Sequence, residues 1–181
     1  PQPCWPNHPS IVRAARLEPV DAPFFNIAEQ RIDMDALIGS FDHAERGDAV
    51  ILQACCHNPL GADFSIDQWT ALADALNARG LFAFVDLAYQ GFGVGIDEDV
   101  AGARVLLERV PEAVIAAAPD GAIVYFNPAA ERLLEYTAAE IQGRSIAILV
   151  PQQPDRRADV LKWLDRWAHE PAETQSRYLD L

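Results

Sequence analysis

The chain is poor in lysine: among 181 residues there is one, Lys162. Basic residues of either kind number 14 against 27 acidic ones, for a formal charge of −13. That balance excludes nucleic acid and anionic membrane surfaces as partners, since both are held by clustered Lys and Arg. Cysteine is scarce too. Cys4, Cys55 and Cys56 make an odd count with no CxxC spacing, so neither a disulfide framework nor a metal site is expected. A reducing cytoplasm is the default compartment for such a chain. The adjacent pair reads as buried thiols at a strand end. No apolar run approaches the ~20 residues that cross a bilayer. A secretory signal is missing, and the chain opens at Pro1 rather than Met, which reads as a piece of a longer protein. Half of the residues are hydrophobic, enough for one globular domain or two small ones.

What is there divides into two characters. The first begins with Trp5-Pro6-Asn7-His8 and a short helix around Ile11 to Ala15. Leu17 to Phe25 is strand-like but broken by Pro19 and Pro23, so it belongs at an edge or in a loop. Asp33 can cap a helix through His43, with Met34, Leu37, Ile38 and Phe41 on one face. A strand follows over Ala49 to Cys55. Ser65 with Gln68 forms a capping-box pattern for a helix that carries Trp69, Leu72, Ala73 and Leu76 and stops at Gly80. Leu81 to Asp86 then reads as a buried strand ending on a carboxylate. Strand, helix, strand at this spacing predicts a parallel βαβ unit with a right-handed crossover. Asp97 to Arg109 reads as a helix with Val100, Ala103, Leu106 and Leu107 inward, ended by Pro111.

In an open α/β sheet, ligands sit outside the carboxyl ends of the strands. Ala54-Cys55-Cys56-His57-Asn58-Pro59-Leu60-Gly61 and Asp86-Leu87-Ala88-Tyr89-Gln90-Gly91-Phe92-Gly93 occupy those ends here. Together, with Trp5 and His8 before them, they resemble the large domain of the aspartate and aromatic amino-acid aminotransferases, which use pyridoxal phosphate. The resemblance runs from Trp5 to about Ala117. It implies a partial pyridoxal-dependent transferase large domain, with amino acids and 2-oxo acids as substrates and a homodimeric state; an incomplete domain also leaves open sheet edges and unmatched apolar faces, so self-association is expected. It also implies roles. Asp86 matches the acid that keeps the pyridine nitrogen protonated. Tyr89 and Asn58 match the donors to the ring hydroxyl, and Trp5 the aromatic stacked on the ring. His8 matches the histidine that supports the acid from behind. The family's Schiff-base lysine, in a Ser-Lys-Asn type of stretch, has no counterpart, because Asp120 to Asn127 occupies that region. Lys162 belongs to a different, helical pattern and reads as a solvent-facing charge. No catalytic residue is therefore assigned, and the chain is expected to be inactive in transamination.

The second character starts at the strand Ala113 to Ala118. Pro119-Asp120-Gly121 is a turn before the apolar run Ala122 to Phe126, which signals a hairpin. Asn127-Pro128 opens a short helix, and Tyr136 to Ile141 and Gly143-Arg144-Ser145 follow. This order resembles a PAS sensor domain over Val114 to Leu181. It implies an apolar wall at Ile146 to Pro151, a long helix over Asp155 to Glu170, and further strands of which Tyr178 to Leu181 would begin the first. Glu135 stands where that family usually has glycine. Asp155 to Asp159 holds no histidine, His169 comes at the helix's far end, and no cysteine lies beyond Cys56, so neither haem nor a covalently bound flavin is expected. Trp163 and Trp167 read as core packing.

The expectation is an α/β aminotransferase large-domain fragment over residues 1–112, fused to a truncated PAS-like α+β segment over 113–181. The alternative function is that of a PAS-type sensory or interaction module in a signalling protein.

Overall fold

A computed structural model describes residues 1–118 and 120–149. The chain divides into two compact units, Pro1–Pro111 and Glu112–Leu181. The long helix expected over Asp155 to Glu170, with Lys162, Trp163, Trp167 and His169, and the strand start at Tyr178 lie outside the described residues.

In the first unit, α1 (Asn7–Ala14) turns His8 inward and leaves Ile11 exposed. β1 (Phe25–Asn26) and β2 (Arg31–Ile32) form a small antiparallel pair. The proline-broken stretch Leu17 to Phe25 is irregular up to Phe24 and joins this pair only at Phe25, in keeping with an edge or loop. α2 (Met34–Ser40) begins where Asp33 accepts the Ala36 N–H at 3.0 Å, and it tightens into a 3-10 turn over Phe41–His43. β3 (Ala49–Gln53) leads to α3 (Ile66–Arg79). Its N-terminus carries both halves of the Ser65–Gln68 capping box, and Gly80 ends it at φ +64°. That left-handed conformation is open to glycine without a Cβ clash. β4 (Phe82–Asp86) pairs with β3 in parallel, Gln53 opposite Asp86. The expected βαβ unit is present.

The core of this unit gathers Phe24, Leu37, Phe41, Leu52, Trp69, Leu72, Leu76 and Leu106. α4 (Ile96–Asp99) and α5 (Ala101–Arg109) share the span read as one helix. Leu106 is buried and Gly102 lies against Trp69, but Leu107 is exposed rather than inward. The break at Val100 rotates the second helix, so periodicity counted from Asp97 misplaces its face.

β4 departs from expectation as well. Its pattern is not that of a strand buried on both faces: Phe82 and Phe84 are 63% and 61% exposed, while Val85 packs on the core. Alternate residues of a strand point to opposite faces. The Phe82–Phe84 face of β4 is open, and the opposite face is covered at Val85 but exposed at Ala83.

The second unit opens with the antiparallel hairpin β5 (Ile115–Ala117) and β6 (Ile123–Phe126). Asn127, fully buried, starts α6 (Pro128–Leu134) by accepting the Ala130 N–H at 2.9 Å. The same side chain ties down the strand entry, accepting from Val114 N at 2.8 Å and donating to the Glu112 carbonyl at 3.0 Å. Glu135 ends α6 at φ +58°. Thr137 and Glu140 form a capping box for α7 (Ala138–Ile141). Where an apolar wall was expected from Ile146, the chain forms a 3-10 turn over Ile146–Leu149 whose Ile146, Ile148 and Leu149 pack on the core; Val150 and Pro151 lie outside the described residues. Ile123, Phe126, Ala130 and Ile141 form this unit's core.

Candidate functional site

The carboxyl ends of β3 and β4 are joined by the Ala54 N–H donating to the Asp86 carbonyl at 2.9 Å. Asp86 is half-buried there. Its Oδ2 meets His8 Nε2 at 3.0 Å, and its Oδ1 accepts the Ala88 N–H at 3.2 Å. His8 is buried, and its ring meets the edge of Trp5 with centroids 5.4 Å apart and planes at 86°. The fold thus brings Trp5, His8 and Asp86 into one chain of contacts, although 78 positions separate His8 from Asp86. One side of the carboxylate is braced, and oxygen lone pairs remain to accept from a cationic N–H.

Asn58 lies in the loop after β3. Its N–H donates to Gln53 Oε1 at 3.0 Å, and the Asn58–Pro59 peptide is cis. Tyr89 sits in the turn after β4, 38% exposed. The Asn58 side-chain amide and the Tyr89 hydroxyl make no hydrogen bond to another described residue. They stand in the loops that follow β3 and β4.

Residues that the sequence did not single out build the loops around them. Asp63 closes the Asn58 loop, its two oxygens accepting from Cys56 N at 2.8 Å and His57 N at 2.9 Å. His57 is buried and stacks on Phe24 at 4.4 Å; burial pushes its pKa down, and its Nδ1 has no hydrogen-bond partner among the described residues. Asp99 is buried at the end of α4. Its Oδ2 accepts from Gly91 N and Gly93 N at 2.8 and 2.9 Å, its Oδ1 from Val94 N at 2.9 Å and Gly95 N at 3.4 Å. Those N–H groups, Gly93 and Val94 first, hold its carboxyl below the usual carboxylate range. A Cβ at Gly93 would fall 2.6 Å from Asp99 Oδ1, so glycine is needed for the approach. The signal was in the sequence, as alternate glycines shortly before an acid. Cys55 is buried as expected, and its thiol is pushed up to about 12, by burial first and then by Asp99 and Cys56. Among the described residues no helix is long and apolar enough to cross a membrane.

The sequence model of the family described as aminotransferase class I and II matches residues 1–118, and that of the PAS fold matches residues 103–171. The chain belongs to the aminotransferase class I and II family. A tyrosine aminotransferase of Rhizobium meliloti (strain 1021) is 50% identical over 114 residues, and an aspartate aminotransferase of Escherichia coli (strain K12) 39% over 114. In both cases the match takes 63% of this chain and 29% of the relative. The chain therefore spans under a third of the length of these curated relatives. Among solved structures, an aromatic-amino-acid aminotransferase from Burkholderia pseudomallei, covalently bound to pyridoxal phosphate, is similar at TM-score 0.59 and 28% identity, over 91% of this chain and 38% of that one. An aromatic aminotransferase from Psychrobacter sp. B6, cocrystallised with aspartic acid, is similar at TM-score 0.55 and 35% identity, over 56% and 26%.

Proposed function

We propose that residues 1–112 are the ring-binding part of an aspartate- or aromatic-type aminotransferase large domain, and that this chain by itself does not transaminate. The carrying observation is the Asp86–His8 pair at 3.0 Å on the end of a parallel strand. The donor set fits the pyridine end of pyridoxal phosphate. Asp86 accepts from the ring N–H, with His8 fixing the carboxylate's orientation. Asn58 and Tyr89 offer donors to the ring hydroxyl, and Trp5 offers an aromatic face. When bound, the cofactor supplies an electron sink for a carbanion formed at the amino acid. An ionised Asp86 favours the protonated ring that makes the sink effective.

The missing part is the lysine that attaches the cofactor and moves the substrate proton. The chain's single lysine, Lys162, belongs to the PAS-matching segment. Amino acids and 2-oxo acids are then the partners of the longer family members. Here the cofactor is held weakly and without a covalent bond. The test is titration with pyridoxal phosphate followed by borohydride reduction and peptide mass mapping. Weak binding that Asp86→Ala abolishes, with no stoichiometric label, is expected. Stoichiometric labelling of Lys162 with turnover of aspartate and 2-oxoglutarate would overturn the inactivity. Binding unchanged in Asp86→Ala would overturn the site.

A second reading rests on the PAS-fold match and on Asn127, whose buried side chain locks the hairpin to the helix after it. Residues 113–181 then act as a sensory or interaction module, without haem or covalent flavin. A visible absorbance band that tracks the purified protein would contradict it. The three unpaired thiols support a reducing compartment such as the cytoplasm.

A further inference from the structure

Cys55 and Cys56 follow β3, and Asp99 reaches them from α4. One ligand atom from each, two sulfurs and a carboxylate oxygen, lie within 4.8 Å of one another. We propose that Cys55, Cys56 and Asp99 form a binding site for a thiophilic divalent cation of the zinc class, made of none of the residues assigned to the pyridine ring.

Thiolate sulfur and carboxylate oxygen are suited to such an ion, at about 2.3 Å and about 2.0–2.2 Å respectively. Both carboxylate oxygens of Asp99 already accept backbone N–H groups, but not equally. Oδ2 has two short bonds, whereas the second bond to Oδ1, from Gly95, is 3.4 Å long and lies beyond the ordinary N–H···O range. Oδ1 therefore keeps a lone pair for a cation. The charged side chains acting on Cys55, Asp99 and Asp63, are both anionic, so the local field favours a cation. Cys55 and Asp99 are buried, while Cys56 is half-buried, so solvent reaches the group at Cys56. Cysteine spacing alone makes no metal site in this chain; the fold supplies the acid.

Binding replaces two S–H bonds by two metal–sulfur bonds and releases two protons to solvent. Affinity should therefore rise about 100-fold per pH unit below the thiol pKa values. The ion would tie the start of the Asn58 loop to the Gly91–Gly95 loop, and so would raise thermal stability.

The test uses the full chain, reduced with a non-thiol reductant, and cadmium as the probe. The expected result is an ultraviolet thiolate-to-cadmium charge-transfer band saturating at about one ion per chain, displaced by zinc, with about two protons released. Cys55→Ser and Cys56→Ser should each abolish tight binding and the zinc-dependent rise in Tm, and Cys4→Ser should leave both unchanged. Asp99→Asn should weaken binding about tenfold or more while the band persists. That change also removes the anchor of the glycine loop, so Cys56→Ser, shown to be folded by circular dichroism, is the decisive variant. Absence of a band at stoichiometric cadmium, a band that survives Cys56→Ser, or one lost in Cys4→Ser would overturn the site.

Discussion

Cys55 and His57, near neighbours on one loop, are held in their neutral forms for the same reason, burial. The Cys55 pKa, about 12 against an ordinary 9.0, makes the folded protein the better proton binder between those values. Its contribution to stability is whole below pH 9 and is lost as pH rises towards 12. At pH 8 iodoacetamide should therefore label Cys56 and Cys4 while sparing Cys55 until urea unfolds the chain. Equal labelling of the adjacent pair in native protein would refute the burial argument. His57 works in the opposite direction. Its pKa lies below the ordinary 6.5, so the unfolded chain binds the extra proton first. Stability from this group is present above pH 6.5 and declines as pH falls from there towards the folded pKa. His57→Phe keeps an aromatic ring on Phe24 and should flatten the loss of urea midpoint between pH 7 and pH 5. An unchanged slope would assign that loss to other groups. At this scale Asp86 was legible because a carboxylate ending an apolar strand is a local pattern. Asp99 was legible only in part: the alternate glycines Gly91, Gly93 and Gly95 mark a tight loop, but only the fold shows that loop closing on this carboxylate.

Elements were most legible at their ends. Asp33, the Ser65–Gln68 pair, Gly80 and Asn127 mark boundaries through chemistry that acts within a few residues, and each stands where the sequence put it. Faces were less legible, as Leu107 and the Phe82–Phe84 side of β4 demonstrate, since a face depends on what covers it. Gly102 is a case where element packing fixes a residue. A Cβ there would lie 2.2 Å from the Trp69 indole, so α5 approaches α3 only because that atom is missing. Gly102→Ala should destabilise the chain by about 1–3 kcal/mol through overpacking, despite alanine's better helix propensity. A urea midpoint equal to or above wild type would show that the helices separate without cost. Glu135 offers the reverse test. It occupies the left-handed region at φ +58° on an exposed helix end. Glycine removes about 1–2 kcal/mol of steric strain there and adds about 0.5–1 kcal/mol of chain entropy to lose. Glu135→Gly should therefore raise stability by up to about 1 kcal/mol, read from the same urea curves.

For the whole molecule, the order of Trp5, His8, Asn58, Asp86 and Tyr89 identified the family from sequence, and an incomplete domain implied open sheet edges and unmatched apolar faces; which face is open comes from the structure. Parallel sheets are ordinarily covered on both faces. Here the described sheet has two parallel strands, β3 and β4, and exposes Phe82 and Phe84 on one side of β4. The loop beyond the site adds Phe92 and Val94, at 83% and 87% exposure. An open strand edge beside apolar side chains is a template for pairing with another chain. The opposing term is charge: each copy carries −13, and like charges resist approach. Salt screens that repulsion, with a Debye length falling from about 30 Å at 0.01 M to about 8 Å at 0.15 M, and leaves apolar burial intact. Association should therefore strengthen as salt is raised, the reverse of what ion pairing between copies would give. Sedimentation velocity at low and physiological ionic strength measures this directly. Phe84→Glu puts a like charge on the open face and should shift the equilibrium towards monomer at both salts. A chain that stays monomeric throughout, or that dissociates as salt rises, would show that the open face of β4 does not drive self-association.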